Sequence, residues 1–226
     1  MELIQVANFV NGKFLLSNYK KDKKEILNSE LLASYSLDSL GTSSNEKIYF
    51  DTADSFFATH GINIYTVLVN KTTKELVVRY DDSQVERIDF LRNIPNFFKV
   101  KIGKDDSIHK CYEQITEAIH RVFPSGLSEN IEDKLRNSKP QVIIHKKRET
   151  YRVVNNDGLK MSMSFDKSEY VNTKTRKKAK QESLDVVGDA FKTKEDFEYF
   201  LKLMIRDFPK LIRITDNELT LSKDMF

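Results

Sequence analysis

Ile48-Tyr49-Phe50-Asp51-Thr52-Ala53-Asp54, followed by Gly61-Ile62-Asn63-Ile64-Tyr65, decides how this chain is read. The order is strand, turn, short helix, glycine hinge, strand. Ile48 to Phe50 is β-branched and aromatic, as a strand prefers. Asp54 is placed to N-cap a helix over Ser55 to Thr59, since a side-chain oxygen there accepts an orphan backbone N–H. Ile62 to Asn70 and Glu75 to Tyr80 are apolar segments joined by Lys71-Thr72-Thr73-Lys74, the pattern of a hairpin.

Working outward, Glu2 to Phe9 reads as a strand. Lys13 to Ser36 carries Leu15, Leu16, Tyr19, Ile26, Leu27, Leu31 and Leu32 at helical spacing, and Gly41 to Asn45 reads as a turn. Asn96 to Ile102 is a further strand. Ser107 to Phe123 is a helix with Ile108, Cys111, Tyr112, Ile115, Ile119 and Val122 on one face, ended by Pro124. Ser128 to Asn137 is a second, shorter one. Beyond Pro140 the period becomes that of strands, with Gln141 to Val154 and Leu159 to Phe165 paired around Asn155-Asn156-Asp157-Gly158. Glu182 to Val187 continues as a strand. Thr193 to Phe208 is an amphipathic helix capped by Thr193, and Leu211 to Leu221 reads as a strand and tail. The order implies a single α+β domain over residues 1–226, with a helical insertion at about 105–138 and a C-terminal helix at about 193–208. Its core would be a mainly antiparallel sheet, closed into a barrel or left half-open, with helices packed outside.

The composition is that of a chain able to bury a large core: 39% hydrophobic and 31% charged, with 15 Phe, 9 Tyr and no Trp. Cys111 is the single cysteine, so no internal disulfide can form, which fits a reducing, cytoplasmic setting. No apolar run approaches the ~18 residues of a membrane span. No phosphate-binding glycine loop is present. The four histidines, His60, His109, His120 and His145, show no metal-ligand spacing, and Cys111 reads as core. Net charge is only +3, yet from His145 to Lys180 there are 11 Lys/Arg against 4 Asp/Glu. That concentration attracts phosphates. The run Lys174, Arg176, Lys177, Lys178 and Lys180 is a candidate contact for nucleic acid or an acidic protein, although it lacks aromatics for base stacking.

Tyr49, Phe50, Asp51, Thr52, Asp54, Gly61 and Ile62 resemble the Tyr-Phe-Asp-Thr-x-Asp…Gly-Ile signature of the CYTH, or triphosphate tunnel, superfamily. Met163 to Asp166 is a weaker echo of the strand that precedes the family's last tunnel strand. The resemblance implies a barrel whose basic side chains grip a triphosphate while glutamates hold Mg²⁺ or Mn²⁺. Departures from that code are concentrated among the acids. Where the family carries Glu-x-Glu-x-Lys, the first strand here offers only Glu2. Tyr65 and Val67 stand in place of Arg-x-Arg. The last tunnel strand reads Gln181, Ser183 and Asp185, with Glu182 on the other face.

The resemblance thus implies candidate phosphate contacts at Arg79, Lys146, Arg148 and Arg152, and weak metal candidates at Glu2, Asp166 and Asp185. No catalytic residue is assigned. The leading expectation is a divergent member that binds a phosphate-rich ligand or an acidic macromolecule without efficient hydrolysis, and to which no cofactor is assigned. A second is an active Mg- or Mn-dependent triphosphatase or nucleotidyl cyclase. A third is an interaction module whose tunnel is plugged by aromatics such as Tyr65.

Overall fold

Alternation along one strand sets the whole architecture. Met161, Met163 and Phe165 alternate with Ser162, Ser164, Asp166 and Ser168, so one face of that strand is apolar and the other polar. A computed structural model of the chain describes residues 10–69, 73–80, 97–103, 108–122, 131–156, 160–188, 194–214 and 225–226. Its strands are β1 (Val10–Leu15), β2 (Tyr35–Asp51), β3 (Ile62–Val69), β4 (Thr73–Tyr80), β5 (Phe97–Ile102), β6 (Lys139–Asn155), β7 (Lys160–Asn172), β8 (Lys178–Gly188) and β9 (Ile212–Ile214). They form one antiparallel sheet in the order β5-β4-β3-β2-β6-β7-β8-β1-β9. Among the described residues the two ends, β5 and β9, do not pair, so the described sheet is half-open rather than closed.

The described helices cover the outer face. Met161, Met163, Phe165, Leu184, Val186 and Phe14 pack against α1 (Tyr19–Leu27) and α5 (Lys194–Asp207) through Tyr19, Ile26, Phe197, Leu201 and Met204. Ile62, Ile64, Leu76 and Val78 pack against α2 (Phe56–Thr59), α3 (Tyr112–Val122) and α4 (Ile131–Arg136) through Phe57, Ile115, Ile119 and Leu135. Cys111 is buried in this second core. Among the described residues no helix is long and apolar enough to cross a membrane.

Three local expectations are corrected. Lys13 to Leu15 is strand, not helix: β1 pairs with β8, and the helix begins only after Asn18, whose side chain accepts the Lys21 N–H. Its helical-looking leucines belong to two elements. Gly41 to Asn45 is not a turn but the middle of the 17-residue β2, which runs on against β6 through a register shift between Ser39 and Gly41. Gly41 sits at φ +89°, a conformation that suits glycine at a bulge. The caps at α2 also differ, as shown below. Glu2 to Phe9, the Lys71-Thr72 turn, the Asp157-Gly158 turn, the Thr193 cap and residues 215–221 lie outside the described residues.

Gly12 marks where β1 and α5 touch. A Cβ there would lie 2.7 Å from both terminal methyls of the buried Leu201. With Leu201 packed on every side, Gly12→Ala is expected to destabilise the fold by about 1–3 kcal/mol, read as a lower urea midpoint at unchanged slope.

Candidate functional site

The signature residues Asp51, Thr52 and Asp54 build a corner rather than a reactive centre. Asp51 is buried, and its Oδ1 accepts the Thr52 and Phe57 N–H groups at 2.8 and 2.9 Å. Its Oδ2 accepts the Ala58 N–H at 3.2 Å. Thr52 Oγ1 accepts the Phe56 N–H at 2.9 Å and donates to Asp54. The cap expected of Asp54 is therefore supplied by Asp51 and Thr52, because Ser55 takes a left-handed φ of 59° and turns the helix start toward them. Asp54 instead receives Lys134 of α4 at 2.9 Å, with that ammonium 4.7 Å above the Phe56 ring. His60 closes the turn through Nδ1 on the Phe56 carbonyl.

The Thr52 hydroxyl, and then Lys134, hold the Asp54 carboxyl down at about 2. A depressed carboxylate stabilises the fold above its unfolded value and loses that contribution as pH falls. The Asp54 contribution is thus expected to be complete above about pH 4 and to disappear toward pH 2. Asp54→Asn should flatten the acid limb of a stability-versus-pH curve in that window; an unchanged limb would exclude this contact.

The inner face of the sheet holds the charged residues. Strand register places Lys146, Arg148, Thr150 and Arg152 of β6 opposite Ser168, Asp166, Ser164 and Ser162 of β7. Ser168, Asp166 and Ser164 in turn face Gln181, Ser183 and Asp185 of β8. Most of this polar stripe is buried: Lys146, Ser164, Asp166, Ser168, Gln181 and Ser183 are all nearly inaccessible. Buried charge is tolerated only when paired, and here it is. Arg148 donates to Asp166 through Nε and Nη2, each at 2.7 Å, and the same Nη2 donates to Asp185. Lys146 Nζ lies 3.3 Å from Asp166 Oδ2, with side-chain exposures of 2% and 0%. Thr150 and Ser164 share a hydroxyl contact at 3.2 Å, and Tyr170 donates to Gln181 at 2.6 Å.

The sequence-derived candidates separate into three groups. Lys146, Arg148, Asp166 and Asp185 come together, the two cations lying on the two acids. Arg152 is exposed and faces Asp38 and Ser162, four positions along β6 from Arg148, or roughly 13 Å. Arg79 is exposed on β4, with β3 and β2 between it and β6. Glu2 lies outside the described residues. Glu182 is on the outer face, where it accepts the Tyr19 N–H.

Two residues escaped the sequence reading. Lys13 faces Asp185, and Lys47, two positions before Tyr49, shares the inner face and lies 5.3 Å from the Tyr65 ring centre. Period-two spacing from Tyr49 could have found Lys47; Lys13 was hidden by the helical reading. Beside them Tyr49 and Tyr65 stack at 4.8 Å, forming with Val142, Ile144 and Tyr170 an apolar end of the inner face against which Met225 and Phe226 pack. Lys174, Arg176 and Lys177 of the basic run lie in an exposed β7–β8 turn ordered by Asn172, whose side chain accepts the Lys174 and Thr175 N–H groups, while Lys178 and Lys180 begin β8.

Similarity to solved structures extends over nearly the whole chain. A Hippeastrum protein described as a candidate adenylyl cyclase with a dominant triphosphatase activity aligns at TM-score 0.59 and 13% identity, over 96% of this chain and 95% of that one. The fold is CYTH-like. A candidate adenylate cyclase from Bacillus halodurans aligns at TM-score 0.53 and 12% identity, covering 94% and 95% of the two chains. A protein from Pyrococcus horikoshii aligns at 0.52 and 13%, covering 96% of each. No protein-family model and no curated protein sequence matches the chain.

A CYTH-like fold raises the question of a divalent ion, and the acids among the described residues do not fit one. Among the described residues no three His, Cys, Asp or Glu side chains gather as a metal site would require. The two inner carboxylates that do approach each other are both hydrogen-bonded by Arg148.

Proposed function

We propose that the inner face of this CYTH-like sheet binds a phosphate-rich anion, chiefly through Arg148 with the enclosed Lys146 behind it, without divalent-ion catalysis. One observation carries the reading: the carboxylates of Asp166 and Asp185 serve as counter-ions of those two cations. Phosphate recognition needs fixed cations and a forked donor, which arginine supplies. Pairing with Asp166 and Asp185 fixes the guanidinium plane before any ligand arrives, so little side-chain freedom is lost on binding. Lys13, Lys47 and Arg152 add positive field to the same face, and serine hydroxyls of β7 and β8 line it. Hydrolysis would require a divalent ion to offset charge on the phosphoryl group in the transition state. Among the described residues the acids that would hold it, Asp166 and Asp185, are engaged by Arg148.

Thermal shift with tripolyphosphate tests the reading. Stabilisation is expected in EDTA and unchanged by Mg²⁺ or Mn²⁺, growing with ligand concentration as mass action requires. It should weaken in Lys13→Ala and Lys47→Ala and persist in Arg79→Ala. Stabilisation that needs metal would favour a working triphosphatase, and no stabilisation at all would favour an interaction module; either result overturns the proposal.

A further inference from the structure

A single nitrogen sits at the centre of the charged stripe. Arg148 Nη2 donates to Asp166 Oδ2 at 2.7 Å and to Asp185 Oδ2, so two carboxylates from neighbouring strands converge on one point. Register explains why. Asp166 faces Ser183 and Ser164 faces Asp185, leaving the two acids diagonal to each other on one face of β7 and β8. Arg148 reaches that diagonal from β6, directly opposite Asp166. The surroundings combine depth with access: Asp166 is 0% exposed, Asp185 20% and Arg148 29%. Two carboxylate oxygens at one point, one buried and one half-open to water, make the kind of partial shell that a small divalent ion takes with water completing it.

We propose that Arg148 is a tethered replacement for a divalent cation, its Nη2 occupying the position between Asp166 and Asp185 that a metal ion would otherwise hold. Lys146 is the second cation at Asp166, its Nζ 3.3 Å from Oδ2. Charge accounting supports the assignment. Removing the guanidinium charge takes from Asp166 and Asp185 the cation they share, and the negative charge it compensated in a sheltered site draws in another. Arg148 thus decides that this face handles anions with its own charge rather than with an exchangeable ion. The inference deepens the anion-binding reading and names the residue that makes it independent of metal.

The test uses Mn²⁺ alone, with no phosphate compound present, so its outcome stands apart from tripolyphosphate binding. Free Mn²⁺ is followed by electron paramagnetic resonance during titration of the full chain. The wild type is expected to show no uptake that Asp185→Asn abolishes. Arg148→Gln, folded as judged by a cooperative melt, is expected to bind one Mn²⁺ per chain at least tenfold more tightly than the wild type. Adding Asp185→Asn to it should erase the gain. Arg148→Lys keeps a cation between the acids and is expected to gain nothing. Wild-type uptake sensitive to Asp185→Asn would overturn the proposal even if the glutamine variant did not fold. So would a folded Arg148→Gln without gain, or an Arg148→Lys that gains as much as Arg148→Gln.

Discussion

Asp166→Asn is expected to lower the unfolding free energy by about 3–5 kcal/mol, the range for breaking a buried ion pair from one side. Asp166 is fully buried and is the partner of both Lys146 and Arg148. An asparagine of the same shape keeps one acceptor but none of the charge. Lys146 then loses the carboxylate 3.3 Å from its enclosed ammonium, while Arg148 retains Asp185. For a domain of this size the melting temperature should fall on the order of 10 °C. Urea denaturation gives the free energy directly. Lys146→Met combined with Asp166→Leu should recover part of the loss, because the enclosed ammonium is removed together with its acid while Arg148 keeps Asp185. A single-variant loss under about 1 kcal/mol would mean the stripe is far wetter than its burial indicates.

The second large effect is expected from Asp51→Ala. That carboxylate accepts three backbone N–H groups, those of Thr52 and Phe57 in buried contacts and that of Ala58 in a half-buried one. Alanine leaves them without acceptors at about 1–3 kcal/mol for each buried donor. Fraying of the four-residue α2 relieves part of this, so a net loss of about 3 kcal/mol is expected. Asp51→Asn keeps one oxygen and should lose less. Because this corner is structural, a folded Asp51→Asn protein should bind tripolyphosphate as the wild type does. Loss of binding at full stability would place Asp51 in the ligand site instead.

Both variants touch residues visible in the sequence, yet for different reasons. The corner was legible because Asp51, Thr52 and Gly61 act locally. Short-range caps and a glycine at φ 69° leave a fixed spacing in the chain. The apolar alternation of Met161, Met163 and Phe165 was equally readable, and it forces Asp166 to the opposite face. Lys146 and Arg148 could be assigned to one face by the same period of two. What alternation could not tell was that the cations and acids would meet. Arg148 lies across from Asp166 only through the β6–β7 register, and it reaches Asp185 through a third strand. Register of that kind is set by the packing of a whole sheet. The misreading of Lys13 to Leu16 has a related cause. Leu15 and Leu16 precede the true helix start at Asn18, and nothing local announces that β1 pairs with a strand far along the chain.

That distant pairing governs how the molecule can assemble. Val10 meets Gly188, and the Leu16 and Tyr19 amides donate to Glu182, so the seam joins opposite ends of the described sequence. Contacts between residues so far apart require closure of a very long loop before they return any stabilisation, and folding slows accordingly. On the ribosome, Phe14 and Leu16 must wait with their apolar surface unprotected until β8 has emerged, a period in which chaperones have the most to do.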